Sequence, residues 1–137
     1  MEDNGLHLGL DVGSVSANTV LIDNQKRVVE EYYTRTKGQP LETVLTLLTE
    51  ILSRIPKERI QSISVTGTAG KLIAELLGGE FVNEIIAQGK STTFFYPQVK
   101  TIIEMGGEDS KLIMVEGNSQ NGDYKILDFS MNTICAA

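Results

Sequence analysis

Two stretches of the chain share one pattern, Gly9–Ser16 (GLDVGSVS) and Ile103–Ser110 (IEMGGEDS). In each, an apolar run typical of a buried strand carries an acidic residue near its end and continues into a glycine turn. Asp11 ends the first run, and a strand-end carboxylate can hold a hydrated Mg²⁺ because hard cations prefer oxygen ligands. Glycine lets backbone N–H groups approach a phosphate, and the hydroxyls of Ser14 and Ser16 add donors. The first stretch therefore predicts a phosphate loop with an associated magnesium ion.

The second stretch repeats this arrangement, because Glu104 lies near the end of its strand and Gly106 and Gly107 follow it. Either turn alone also fits an ordinary hairpin with polar residues at its tip. The first is neither a Walker motif nor a dinucleotide fingerprint, since no Gly-Lys-Ser/Thr follows and its glycines do not open a helix. The repetition favours two symmetric lobes that grip the phosphates of one nucleotide between their hairpins.

A third group of small residues, Val65–Lys71 (VTGTAGK), follows a predicted strand and leads into a helix. Free N–H groups at the start of that helix could receive an anion or a carboxylate. Equally, Gly67 and Gly70 could serve only to permit a close turn between strand and helix. The sequence does not decide between these interpretations, nor whether Thr68 or Lys71 touches a ligand.

The hydrophobic pattern predicts a three-stranded meander, then helices alternating with strands, then a new hairpin. The predicted strands are 6–12, 19–23, 27–34, 60–66, 99–105, 110–116 and 125–129, and the predicted helices are 41–55, 71–77 and 84–95. The strand at 99–105 is expected to be buried, and Asn83 is expected to cap the last helix. This order predicts an α/β (α+β) fold. A ribonuclease-H-like lobe would occupy residues 1–97, and residues 98–137 would begin a second, incomplete lobe.

Composition and charge exclude several classes of protein. The 137 residues carry a formal net charge of −6 and no cluster of Lys and Arg, which argues against binding nucleic acid or an anionic membrane. No apolar run approaches the roughly 20 residues that span a bilayer, and the acidic N-terminus is not a secretory signal. Cys135 is the single cysteine, so no internal disulfide can form and the cytoplasm is the expected compartment. His7 is interpreted as a packed or hydrogen-bonded strand residue.

Five segments, in order along the chain, resemble one family: LGLDVGS, VTGTAGK, NEIIAQG, IIEMGGEDSKLI and DFSMNTICAA. They resemble the activator ATPases of 2-hydroxyacyl-CoA dehydratases and the related benzoyl-CoA reductase ATPase subunits. These belong to the superfamily of actin, heat-shock chaperones, acetate kinase and sugar kinases. The resemblance extends from Leu6 to Ala137. Its first motif is common to the superfamily, whereas the last two are particular to the activators.

The resemblance implies ATP-driven transfer of one electron to a dehydratase or reductase by a homodimer with a [4Fe–4S] cluster at its subunit interface. Asp11 matches the Mg²⁺-associated aspartate, and with Glu104 it is the candidate catalytic pair. Cys135 matches the first cluster cysteine. The candidate residues for binding ATP are Gly13, Ser14, Ser16, Gly106 and Gly107.

The sequence also departs from the family. Asn18 stands where Lys is common and Glu108 where Gln is common, and the family's later Gly-Thr-Gly and nucleoside-binding glycines are missing. The chain is therefore expected to be the N-terminal portion of a longer protein. Iron–sulfur clusters typically take four thiolates, and a dimer of this chain would supply only two. We therefore expect the cluster in the intact protein and not in this chain.

Two other functions stay open at this stage. A small-molecule kinase of the same fold would need a substrate base, and the Asn83–Glu84 pair could contact a substrate, although Asn83 serves equally well as a helix cap. A non-catalytic module could bind nucleotide to regulate a partner. The DFSMNTICAA segment favours the redox activator, because a kinase has no need of a thiol there.

Overall fold

The computed structural model describes residues 5–107, 109–118 and 120–132. The chain falls into two compact units, one up to Val82 and one from Asn83 onward. The strands are β1 Leu6–Val12, β2 Ser16–Asp23, β3 Val28–Arg35, β4 Ile60–Thr66, β5 Glu80–Phe81, β6 Thr101–Met105, β7 Ser110–Gly117 and β8 Tyr124–Asn132. The helices are α1 Pro40–Arg54, α2 Gly70–Leu77 and α3 Glu84–Phe95, with a short 3-10 helix at Lys57–Arg59.

The first unit is built on a five-stranded sheet in the order β3-β2-β1-β4-β5. β1, β2 and β3 pair antiparallel as the predicted meander, whereas β4 pairs parallel to β1. The core alternates along β1, where Leu6, Leu8, Leu10 and Val12 are buried and the residues between them are more exposed. This period of two follows from the pleat of a strand, and it leaves Asp11 on the opposite face from the core.

Helix α1 completes that core with an apolar face that includes Val44, Leu48 and Ile51. Pro40 occupies its first turn, where the missing N–H costs nothing, and the chain becomes extended at Ile55, just before Pro56. Helix α2 ends at Gly78, which takes the left-handed conformation that favours glycine. The predicted ends of both helices are confirmed to within a residue.

The second unit is a three-stranded antiparallel sheet, β6-β7-β8, with α3 packed on one face. Ile85 on α3 lies in one cluster with Ile113 and Val115 on β7. Asn83 caps the helix as predicted, because its side-chain oxygen accepts a hydrogen bond from the Ile85 N–H at 2.9 Å. The described part of this unit therefore has one covered sheet face.

The prediction that residues 99–105 form a buried strand is wrong. The strand begins at Thr101, and the side chains of Ile103 and Met105 are 69% and 81% exposed. Apolar residues on both faces of β6 are typical of a strand that is covered on both sides, but α3 covers one face only. The mixed α/β class is confirmed, with β5 and the 3-10 helix as additions that the sequence did not indicate. The predicted division into lobes at residue 97 stays a prediction.

Candidate functional site

The first glycine loop joins β1 to β2 and closes on itself. The N–H of Gly13 donates to the Ser16 carbonyl at 2.9 Å. Thr36, which directly follows β3, fixes the tip of the loop from the side: its hydroxyl donates to the Ser14 carbonyl at 2.7 Å and its N–H to the Val15 carbonyl at 2.9 Å. Sequence reasoning missed Thr36, because it lies far from the motif along the chain and only strand pairing brings it there.

Gly13 is not required by the fold. A Cβ added there would meet no more than the Ser16 carbonyl oxygen, at 3.7 Å, and Gly13 does not take a positive φ. The space above its backbone is therefore open, which suits the close approach of a phosphate. The hydroxyls predicted to assist, on Ser14 and Ser16, lie on an exposed and a partly exposed residue of the same loop.

Asp11 is exposed on the face of the sheet opposite the core. Its neighbours across the strands are Asn18 on β2 and Thr66 on β4. Among the described residues, the buried Thr66 hydroxyl has no hydrogen-bond partner. A buried hydroxyl normally has a partner, so its place beside Asp11 fits a water or a hydrated cation at this end of β1. Asp11 is the residue that would hold a hydrated Mg²⁺, and that role stays a prediction.

The third glycine turn supports the close-turn interpretation. Gly67 has a φ of +95°, and a Cβ added to it would lie 2.4 Å from the Val12 carbonyl oxygen. The N–H of Ala69, the residue before α2, donates to the Val12 carbonyl, and the N–H of Gly70, the first residue of α2, donates to the Gly67 carbonyl. Thr68 and Lys71 are exposed. This turn packs against the end of β1, the strand that leads into the first loop.

The second glycine loop joins β6 to β7 and closes as the first one does. The N–H of Gly106 donates to the Asp109 carbonyl at 2.9 Å, which is the same bond, across the same number of residues, as Gly13 to Ser16. A Cβ on Gly106 would lie 3.4 Å from Oε1 of Glu104, an ordinary contact distance. The structure therefore brings Glu104 beside the glycine of its loop, and Gly107 lies at the turn.

A buried lysine lies beside this second loop. The Lys111 side chain is 5% exposed, and its Nζ lies 2.6 Å from Asp109, 2.9 Å from Glu84 and 3.1 Å from Glu104. Burial alone would lower the pKa of the Lys111 ammonium, but the hydrogen bonds to Asp109, Glu84 and Glu104 outweigh burial and hold that pKa above its usual range. Lys111 is therefore a permanent cation at neutral pH.

The remaining candidates have different outcomes. His7 is hydrogen-bonded, as predicted, to Ser62 and Asn24 at 2.8 Å each. Asn83 caps α3, which accounts for it without a substrate. Cys135 and Glu108 lie outside the described residues. Within residues 5–107, 109–118 and 120–132, no group of three or more His, Cys, Asp and Glu side chains could hold a metal ion, and no helix is long and apolar enough to cross a membrane.

Three known proteins show what the chain resembles. It is 31% identical over 132 residues to the activator of lactoyl-CoA dehydratase from Anaerotignum propionicum, covering 95% of this chain and 48% of the relative. The crystal structure of component A of the Acidaminococcus fermentans (R)-2-hydroxyglutaryl-CoA dehydratase matches with a TM-score of 0.81 and 27% identity, over 97% of this chain and 49% of the other. The 2-hydroxyisocaproyl-CoA dehydratase activator from Clostridium difficile, solved with bound ADPNP, matches with a TM-score of 0.74 and 28% identity, over 96% and 47%.

These matches agree with the predicted actin-like ATPase fold, of which the first unit shows the ribonuclease-H-like sheet order. The chain spans about half the length of the curated relatives it matches. The model of the BadF/BadG/BcrA/BcrD ATPase family matches residues 8–137, a range that contains both glycine loops. The chain belongs to the BadF/BadG/BcrA/BcrD ATPase family.

Proposed function

We propose that this chain is the phosphate-binding portion of an ATP-hydrolysing activator that drives one-electron transfer to a 2-hydroxyacyl-CoA dehydratase or a related CoA-ester reductase. The observation that carries the phosphate-binding part is the shared closure of the two glycine loops, Gly13 to Ser16 and Gly106 to Asp109. The activator part rests on the relatives, which are activators of 2-hydroxyacyl-CoA dehydratases, and the electron-transfer part rests on what the resemblance of the DFSMNTICAA segment implies. The implied partner is therefore a dehydratase or reductase component.

Each loop has its own part in this proposal. Gly13 leaves backbone open to a phosphate, and the hydroxyls of Ser14 and Ser16 supply donors. In the second loop a Cβ on Gly106 would meet nothing closer than 3.4 Å, and Gly107 follows it along the chain. Asp11 would hold a hydrated Mg²⁺, which would neutralise phosphate charge, and Glu104 would orient a water toward the terminal phosphate. The protein thus contributes mainly position and electrostatics, as is usual in phosphoryl transfer.

The redox part belongs to the intact protein. A homodimer of the longer chain would hold a [4Fe–4S] cluster, with Cys135 as one of its ligands and a second cysteine from each subunit. This chain has a single cysteine, so we expect it to bind no cluster. An oxygen-free preparation of the intact protein tests this: iron and a visible absorption band are expected, and a colourless protein without iron would remove the redox proposal.

Phosphate binding is tested on this chain by NMR. Titration with Mg²⁺ and ADPNP should shift the amide signals of Gly13, Ser14, Gly106 and Gly107 in a saturable way. The affinity should be weaker than micromolar, because the chain spans about half the length of the relatives it matches. A Gly13→Ala variant should lose the first-loop shifts, whereas Ser53→Ala, an exposed change on α1, should keep them. Shifts confined to other surfaces would contradict the proposal.

A further inference from the structure

Lys111 connects three parts of the second unit through one atom. Its Nζ meets Glu84 in the first turn of α3, Glu104 on β6 and Asp109 in the glycine loop. An ammonium group has three N–H donors, so the three carboxylates satisfy it completely. Glu104 and Lys111 are direct partners in the β6–β7 register. Strand pairing therefore sets the contact between Glu104 and Lys111, and the packing of α3 adds Glu84.

The two oxygens of Glu104 have different surroundings. Oε2 accepts a hydrogen bond from Lys111 at 3.1 Å. Oε1 lies beside Gly106, 3.4 Å from where a Cβ on that residue would stand. One oxygen is thus anchored and the other is directed at the loop. Without the anchor, the Glu104 carboxylate would swing freely and would be repelled by Asp109 and Glu84.

The charges in this cluster do not balance. One ammonium faces three carboxylates, and the lysine is almost fully buried. An arrangement selected only for stability would not need this surplus of negative charge, because a buried ion pair gains little over an apolar contact. The surplus instead leaves acceptor oxygens available next to a glycine loop.

We propose that Lys111 is the positioning residue of the second phosphate loop. It holds Glu104 by one oxygen so that the other is presented beside Gly106, and it ties the loop, through Asp109, to the start of α3, through Glu84. This rests on the proposed function in treating the β6–β7 turn as a phosphate loop. The presented oxygen would receive a water, either free or bound to the magnesium of the nucleotide. Lys111 itself acts through Glu104 and touches no phosphate.

The test compares Lys111→Met, which keeps an unbranched apolar side chain one atom shorter and removes the charge, with Lys111→Arg, which keeps the charge. Lys100→Met is the matched control, because Lys100 is an exposed lysine of the same unit, 67% accessible. Two signals are followed in the whole chain: the response of each loop to Mg²⁺ and ADPNP, and amide hydrogen exchange at Gly106. Gly13 is the internal reference, since its N–H makes the same loop-closing bond in the other unit.

In Lys111→Met we expect the second-loop response to weaken by about 10-fold or more, as is typical when a supporting contact to a binding group is removed. The first-loop response should be retained. Lys111→Arg should restore most of the second-loop response, which a simple packing role of the side chain would not predict. A second-loop response within about 3-fold of the unaltered chain would overturn the proposal, since loss of a supporting contact costs more than that.

Amide hydrogen exchange at Gly106 is measured without nucleotide, so it tests the role of Lys111 separately from the proposed function. If neither loop of the unaltered chain responds to nucleotide, the proposed phosphate-binding function is wrong. Hydrogen exchange at Gly106 still tests whether Lys111 positions the second loop. Gly106 should then exchange about 10-fold faster in Lys111→Met with Gly13 unchanged, and equal exchange at Gly106 overturns the role. If Lys111→Met does not fold, the same measurements are made on Lys111→Met combined with Glu84→Gln and Asp109→Asn. That variant relieves the repulsion and leaves Glu104 without its anchor.

Discussion

At the level of single residues, Gly67 lies directly against the backbone of Val12. An added Cβ would approach the Val12 carbonyl oxygen to 2.4 Å, and the φ of +95° is one that side-chain-bearing residues rarely adopt. Gly13, only one residue beyond Val12, has neither constraint. The same residue type therefore serves the fold at one position and leaves space for a ligand at the other.

The difference between Gly67 and Gly13 predicts that an alanine is strongly destabilising at Gly67 and nearly neutral at Gly13. Gly67→Ala should lower the free energy of unfolding by more than about 2 kcal/mol, because a positive φ and a backbone clash are imposed together. Gly13→Ala should change it by less than about 0.5 kcal/mol. Urea denaturation followed by circular dichroism measures both. Equal losses of stability in the two variants would show that the loop glycine is also structural.

Thr36 has one defined role, which is to hold the tip of the first glycine loop. Its side chain is 2% exposed and donates to the Ser14 carbonyl at 2.7 Å. Thr36→Val should cost about 0.5–1.5 kcal/mol, because the shape is kept while the Ser14 carbonyl loses the donor supplied by the buried Thr36 hydroxyl. Thr36→Ser, which keeps the hydroxyl, is the control and should cost less. Thermal unfolding compares the three chains, and no difference between Val and Ser would contradict the role of this hydrogen bond.

At the level of elements, α1 is joined to β3 by a polar contact at the rim of the core. Arg54, in the last turn of α1, donates to Glu30 at 2.8 Å and to the hydroxyl of Tyr32 at 2.6 Å. The hydrogen bonds from Arg54 and then Tyr32 hold the pKa of the Glu30 carboxyl below its usual range. The contact thus adds a pH-dependent link between α1 and β3.

The sign of that dependence follows from the lowered pKa. A carboxyl with a depressed pKa in the folded state stabilises the protein above its unfolded-state pKa, and this contribution is lost as the pH falls through the folded-state value. Arg54→Met should therefore reduce stability at pH 7, and its difference from the unaltered chain should shrink below about pH 4. Urea denaturation from pH 7 to 3 measures this, with the exposed Lys57→Met as control. A difference that is constant with pH would exclude Glu30 as the partner.

At the level of the whole molecule, the described part of the second unit leaves one sheet face uncovered. Ile103, Met105, Leu112 and Met114 are exposed there, whereas Ile113 and Val115 on the other face are buried near α3. Exposed apolar strands with unpaired edges invite pairing with another chain. β7 is the central strand of this sheet, so among the described residues the unpaired edges are those of β6 and β8.

We therefore expect the chain to self-associate as its concentration rises. Ile103→Lys should weaken that association, because a charge on an edge strand opposes strand addition. Sedimentation velocity at increasing protein concentration measures the effect, and Leu45→Lys, an exposed change on α1, is the control. A strictly monomeric chain at all concentrations would contradict the expectation.

Much of this protein could be inferred from the residues alone. The alternation of apolar residues in β1, the 3.6-residue spacing of α1 and the caps at Asn83 and Gly78 are local properties, so the elements and their order followed from the sequence. The paired glycine turns and their acidic residues were visible for the same reason. Family membership followed from motifs that stand in a fixed order along the chain.

Other features depended on the tertiary structure because they join residues distant in sequence. Thr36 reaches the first loop, and Thr66 and Asn18 flank Asp11, only through strand pairing. Lys111 meets Glu84 because α3 packs on the second sheet. The exposure of Ile103 and Met105 depends on which face of the sheet a helix covers, and the composition of the strand does not indicate which face that is. Hydrophobic periodicity specifies which elements form, whereas the fold alone decides which polar groups become neighbours.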